Sequence, residues 1–98
     1  MANDKYILDS DGNPVPADLL TWAKWYETAG ESRQIGGDRV NGVLVSTVFL
    51  GLDHAFGEGP PILFETMIFG GEHDQYQERY STREEAIAGH KKAVELAR

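Results

Sequence analysis

Two eight-residue runs, Val43–Leu50 and Ile62–Phe69, constrain this chain more than any other feature. Successive residues of a strand point to opposite faces of its sheet, so a sheet with one wet face alternates apolar and polar residues. These runs do not alternate. In the first, Val43, Val45, Thr47 and Phe49 form one face and Leu44, Ser46, Val48 and Leu50 the other. In the second, Ile62, Phe64, Thr66 and Ile68 oppose Leu63, Glu65, Met67 and Phe69. Both faces are apolar apart from a polar residue near mid-strand. Helices can cover one face. The second is expected to pack on a copy of itself or on another protein, because large exposed apolar patches mark interaction sites. An isologous homodimer is the simplest such arrangement, with Val48, Leu63, Met67 and Phe69 at its interface. A helix on each side of the sheet is the alternative.

The flanking segments read as follows. Lys5–Asp9 is a short strand closing in the turn Asp9-Ser10-Asp11-Gly12-Asn13. Acids at alternate positions before a glycine echo a calcium loop, but the third acid and the distant glutamate are missing, so a plain turn is expected. Pro14 and Pro16 forbid a continuing central strand. Pro16 suits the first turn of a helix that runs to about Ala29 and stops at Gly30. Leu19, Leu20, Ala23 and Tyr26 are expected to face the core, with Trp22 and Trp25 on the flanks. Eight of the eleven glycines then lie between Gly36 and Gly71. Arg33–Val40 is expected as a strand kinked at Gly36-Gly37, Asn41-Gly42 as a hairpin turn, and Gln75–Tyr80 as a short edge strand. Ser81-Thr82-Arg83-Glu84 reads as a capping box that opens a last helix, Thr82 to about Ala97. Its inward stripe is Ala86, Ile87, His90, Ala93 or Val94, and Ala97. No repeat or linker divides the chain. One α+β domain over residues 1–98 is expected, a small antiparallel sheet of three to five strands with two helices, one after the first strand and one C-terminal.

Size and composition narrow the rest. A chain of 98 residues covers both faces of that hairpin with difficulty. The absence of cysteine removes disulfides, thiolate zinc sites and cysteine nucleophiles together. Sixteen acids against nine bases give a net charge of −7, which sets aside non-specific nucleic-acid binding. Mimicry of DNA by carboxylates is disfavoured too, since the bases are interspersed among the acids. Met1–Lys5 lacks a basic segment leading into an apolar run, and the eight-residue runs fall short of the roughly 20 residues a spanning helix needs. No leader and no membrane association are expected, and the location is expected to be cytoplasmic.

Several polar residues are candidates for a site. Glu65 lies in a strand otherwise built for burial, where an unpaired carboxylate costs several kcal/mol. It is expected roughly opposite Ser46 or Thr47. It reads either as a binding or acid/base carboxylate or as a structural one bonded to Arg33, Arg39 or Arg79. Asp53 and His54 open the long Gly51–Pro61 connection, which carries Phe56 at its tip, and loops of this kind often carry recognition. Glu72, His73 and Asp74 follow the second run. Acids and histidines together ligate divalent metals, but the spacing matches no tight template, so no metal and no cofactor is expected. His90 is expected as a satisfied core histidine. Ser46 lacks a nucleophile-elbow context, no phosphate-binding loop is present, and no catalytic residue is assigned. Asp53, His54, Phe56, Glu65, Trp22 and Trp25 are the expected ligand or partner contacts.

Val45–His54, Pro61–Gly71, Tyr80-Ser81-Thr82, Ala86 and Gly89-His90, with Tyr6–Asp9 and the Trp22–Trp25 segment, resemble a family of small proteins encoded by tailed phages and prophages. The resemblance spans most of the chain. The family has no assigned function, so it implies a phage-accessory context in the host cytoplasm and no chemistry. Small acidic proteins in that context often inhibit host machinery or bind host signalling molecules. The expectation is therefore an accessory binding protein without catalysis, a homodimer acting on a host protein or a small, nucleotide-type ligand. A nucleotide site would need Arg33, Arg39, Arg79 or Lys91 to converge. The alternatives are a metal-dependent hydrolase or nuclease using Asp53, His54, Glu65 and His73, and a minor virion structural protein.

Overall fold

Asn41 and Gly42 both adopt positive φ, 53° and 81°, and turn the chain tightly enough for Val40 to pair with Val43. A two-residue turn of this hand matches the right-handed twist of its flanking strands. That hairpin is the middle of the architecture seen in a computed structural model, which describes residues 3–98. Met1 and Ala2, the first positions read for a leader, lie outside it. The elements in order are β1 (Tyr6–Leu8), β2 (Pro14–Pro16), α1 (Leu19–Ala29), a 3₁₀ turn (Gly30–Arg33), β3 (Gln34–Val40), β4 (Val43–Phe49), β5 (Phe64–Phe69), β6 (Gln77–Tyr80) and α2 (Arg83–Ala97). The fold is α+β. β3, β4, β5 and β6 form a four-stranded antiparallel meander, and β1 and β2 form a separate two-stranded ribbon.

The inner face of the meander carries Val45, Thr47 and Phe49 from β4 and Phe64, Thr66 and Ile68 from β5, all without solvent exposure. Helix α2 lies across all four strands of this face. It presents Ala86, His90 and Ala93 to the sheet, with Val94 and Ala97 half-buried beside them, while Ile87 turns outward at 39 % exposure. Each large apolar side chain sealed here contributes about 1.5–3 kcal/mol. The N-cap is Thr82, whose hydroxyl accepts the Glu85 N–H while the Glu85 carboxylate accepts the Thr82 N–H. The reciprocal partner is thus Glu85, one residue beyond the Glu84 that the spacing suggests.

Three expectations near the start of the chain need correction. Pro16 is not in the first helical turn. It ends β2, opposite Tyr6, on a ribbon where the missing N–H breaks no central ladder. Asp18 caps α1 instead, accepting from Thr21 N–H at 2.8 Å. The inward stripe of α1 is Trp22, Trp25, Tyr26 and Ala29, which also obeys i, i+3, i+4, i+7 spacing, while Leu19 and Leu20 are 61 % and 73 % exposed. Trp25 meets Phe49 edge-on at 5.6 Å, and the Trp22 indole donates to Gly51 C=O at 2.9 Å. Both tryptophans therefore anchor α1 to the sheet end.

Leu63 also departs from expectation. Strict alternation would place it with Glu65 and Met67 on the outer face, but β5 begins at Phe64, and Leu63 lies in the irregular approach to it. Its side chain is 2 % exposed and packs with Phe49, Phe64 and Ala86. It belongs to the core and cannot line an interface.

Candidate functional site

Strand register assigns the outer face of the meander to three rows. They are Gln34–Val48–Glu65–Arg79, Gly37–Ser46–Met67–Gln77 and Arg39–Leu44–Phe69. Both helices pack on the inner side, so among the described residues no element covers these rows. Leu44, Val48 and Met67 are half-buried by their own neighbours, and Phe69 is 42 % exposed. Ser46, Val48, Glu65, Met67 and Phe69 line a shallow hollow of about 140 Å³.

Glu65 stands at one end of this apolar strip. It pairs with Val48 rather than with Ser46 or Thr47, because the β4–β5 register differs from a symmetric connection. Its Oε2 accepts from Arg79 Nε at 2.9 Å and from the Gln77 amide. The carboxylate is thus satisfied by β6, as one of the two readings of the sequence anticipated. An ion pair of this partly exposed kind contributes about 0–1 kcal/mol. Its main effect is to turn the charge towards the sheet edge and leave the strip apolar.

The remaining sequence candidates scatter. Asp53 Oδ1 accepts the N–H groups of Ala55 and Ile62, at 2.8 and 2.9 Å, and so ties the base of the long connection together. Phe56 beyond it is 97 % exposed, and His54 is exposed as well. His73 follows β5 at the opposite end of the meander, about 20 Å away by the rise of a six-residue strand. No group of three or more His, Asp or Glu side chains is placed to hold a metal ion among the described residues. The cations do not converge either. Arg33 stacks 4.4 Å over the Tyr26 ring and donates to Phe49 C=O, Arg79 holds Glu65, Arg39 lies on the outer face, and Lys91 is exposed on α2.

Sequence reasoning missed a polar cluster on the inner face. Thr47 and Thr66 face each other across β4 and β5 and share a hydrogen bond, and His90 Nδ1 lies 2.7 Å from Thr47 Oγ1. His90 Nε2 lies 2.6 Å from Asp38 Oδ2, and the Tyr80 hydroxyl donates to Thr66 at 3.1 Å. His90 is the satisfied core histidine expected. Burial, with the Glu78 carboxylate adding to it, holds the Tyr76 phenol above the ordinary tyrosine range. Burial does the same to Tyr80 against the opposing pull of its bond to Thr66. The sequence signals for the cluster were the polar residue at mid-strand in each apolar run and His90 on the inward stripe of the last helix.

No helix among the described residues is long and apolar enough to cross a membrane. No family model matches the chain, and no curated protein or solved structure matches it either.

Proposed function

We propose that this chain is a binding protein without catalysis, and that its uncovered sheet face is the contact surface through which it forms an isologous dimer. The observation that carries this reading is the strip Leu44, Val48, Met67 and Phe69, left without a covering element while its one charge is held aside by Arg79. Contiguous apolar surface of this kind marks interaction sites. The register is compatible with a second copy as occupant. Leu44 and Phe69 are direct partners on β4 and β5, so a two-fold axis along the strands seats Leu44 of each copy on Phe69 of the other. In the phage-accessory setting that the sequence resemblance implies, such a dimer would act on a host protein or a small host ligand.

Light scattering across a concentration series tests the reading. The wild type is expected to run at twice the chain mass. Val48→Asp and Phe69→Asp are expected to run as monomers with unchanged circular dichroism, since both side chains lie on the outer face. A wild type that stays monomeric at high concentration sinks the proposal.

A further inference from the structure

Every strand of the meander, and the helix across it, gives one side chain to a single run of hydrogen bonds. In spatial order the run is Asp38 on β3, His90 on α2, Thr47 on β4, Thr66 on β5 and Tyr80 on β6. Thr47 and Thr66 have no solvent exposure, and His90 has 9 %. Glycines make room at both ends. A Cβ on Gly36 would stand 2.9 Å from the His90 ring, and one on Gly89 would overlap the Tyr80 phenol.

Each hydroxyl owns one proton, and when every one of these protons is used within the run, one donor fixes the direction of all the others. Tyr80 donates to Thr66. Thr66 then spends its own proton on Thr47, and Thr47 spends its proton on His90 Nδ1. Nδ1 must be the bare ring nitrogen, and Nε2 carries the hydrogen that Asp38 accepts. A proton added at Nδ1 reverses the run by rotation alone. Nδ1–H donates to Thr47, Thr47 turns to Thr66, and Thr66 turns to the Tyr80 oxygen. The Tyr80 O–H then swings outward into the groove between β6 and α2. One proton enters from solvent, and every hydroxyl keeps its own.

We infer that this run is a proton-driven relay, in which protonation of His90 changes Tyr80 from an inward donor to a donor facing the β6–α2 groove. That groove, about 290 Å³, is lined by Tyr76, Glu78, Tyr80, Glu85 and Lys92 among others. With His90 neutral it is offered the lone pairs of the Tyr80 oxygen; with His90 charged it is offered a hydrogen. Asp38 on β3 is the charged group bonded to the ring. β4 and β5 face it with Val45, Thr47, Phe49, Phe64, Thr66 and Ile68, none of which titrates, and β6 brings Glu78 and Tyr80. Along α2, the residues one turn away are Ala86, Ile87, Ala93 and Val94. The relay stands independently of the proposed dimer.

Nuclear magnetic resonance of the His90 ring nitrogens and the Tyr80 ring carbons, titrated between about pH 8 and pH 5, tests it. At the upper end Nδ1 is expected bare, and on acidification the Tyr80 signals are expected to move with the same midpoint as His90. Tyr76, which lines the groove outside the run, should not follow. In Thr66→Val, which keeps the shape but removes the hydroxyl, His90 should still titrate while Tyr80 no longer responds. The inference is overturned by an Nδ1–H ring at the upper end, by absence of a His90 titration in the folded protein, or by a Tyr80 that moves independently. Equal coupling in Thr66→Val overturns it too. The wild-type tautomer and shared midpoint decide the matter even where the variant does not fold.

Discussion

Gly89→Ala is the substitution on which helix propensity and tertiary packing disagree most sharply. Gly89 sits inside α2, where alanine is ordinarily better than glycine by about 0.8–1.0 kcal/mol. Propensity alone therefore predicts a more stable protein. The structure predicts the reverse, because the new Cβ would occupy the space of the Tyr80 hydroxyl and the adjoining ring edge. Tyr80 must swing away, losing its bond to Thr66, which is a net loss of about 0.5–1.5 kcal/mol. Crowding of a filled site adds about 1–3 kcal/mol. Set against the propensity gain, the net is a destabilisation of about 0.5–3.7 kcal/mol. For a domain of this size that lowers Tm by roughly 4–8 °C per kcal/mol. Urea unfolding of wild type and Gly89→Ala measures it, repeated in a Tyr80→Ala background. There the obstruction is gone, and Gly89→Ala should become stabilising by about 1 kcal/mol. A single Gly89→Ala protein more stable than wild type, or a double-mutant cycle without coupling, would refute the packing argument.

Asp53→Ala should cost about 1–2 kcal/mol by leaving two amides without their acceptor, and should speed hydrogen exchange at Ile62 and Ala55; unchanged exchange would show that the loop holds itself. Phe56→Ser should leave thermal stability within about 0.5 kcal/mol, since the ring is 97 % exposed; a larger loss in a melting experiment would mean that Phe56 packs on the fold. Tyr76 and Tyr80 have folded-state values raised above the ordinary 10.0, so the folded chain holds these protons more tightly than the unfolded one. Their contribution is intact below about pH 10 and is lost as pH rises through the raised values. Stability measured along an alkaline series should therefore fall above that point, and less steeply in Tyr80→Phe; equal slopes would contradict the burial of that phenol.

Local chemistry made parts of this fold legible. Asn41-Gly42 tolerates positive φ at both positions, and few other pairs do, so the hairpin followed from two residues. The Gly36-Gly37 irregularity appears as the register shift between Gln34 and Gly36. The phase of α1 was not legible, because two sets of apolar residues satisfy the same spacing. The choice falls to Trp22, whose indole finds the Gly51 carbonyl from the far side of the chain. Leu63 misled because alternation holds only inside a strand, and β5 starts one residue later. The outer strip was legible as an excess of apolar residues, and Glu65 as its exception, but the partner on β6 depended on a register no local rule supplies. The polar run was legible only as separate residues, the mid-strand threonines and a core histidine, and not as a connected set. Its threonines are ordinary strand residues, and its meaning rests on contacts between positions as far apart as Asp38 and His90.

The two edges of the meander limit how this protein can associate. An open edge invites another strand when it is long, flat and apolar. β6 is four residues long, and its Gln77, Glu78 and Arg79 are exposed. β3 is longer, but its pairing slips between Gln34 and Gly36, and Asp38 and Arg39 stand exposed beyond two glycines. Neither edge is a good template for lateral addition of chains. For the proposed dimer this leaves the broad side of the sheet, where one layer on another closes the contact, and on that reading a crowded solution should accumulate discrete particles rather than fibres.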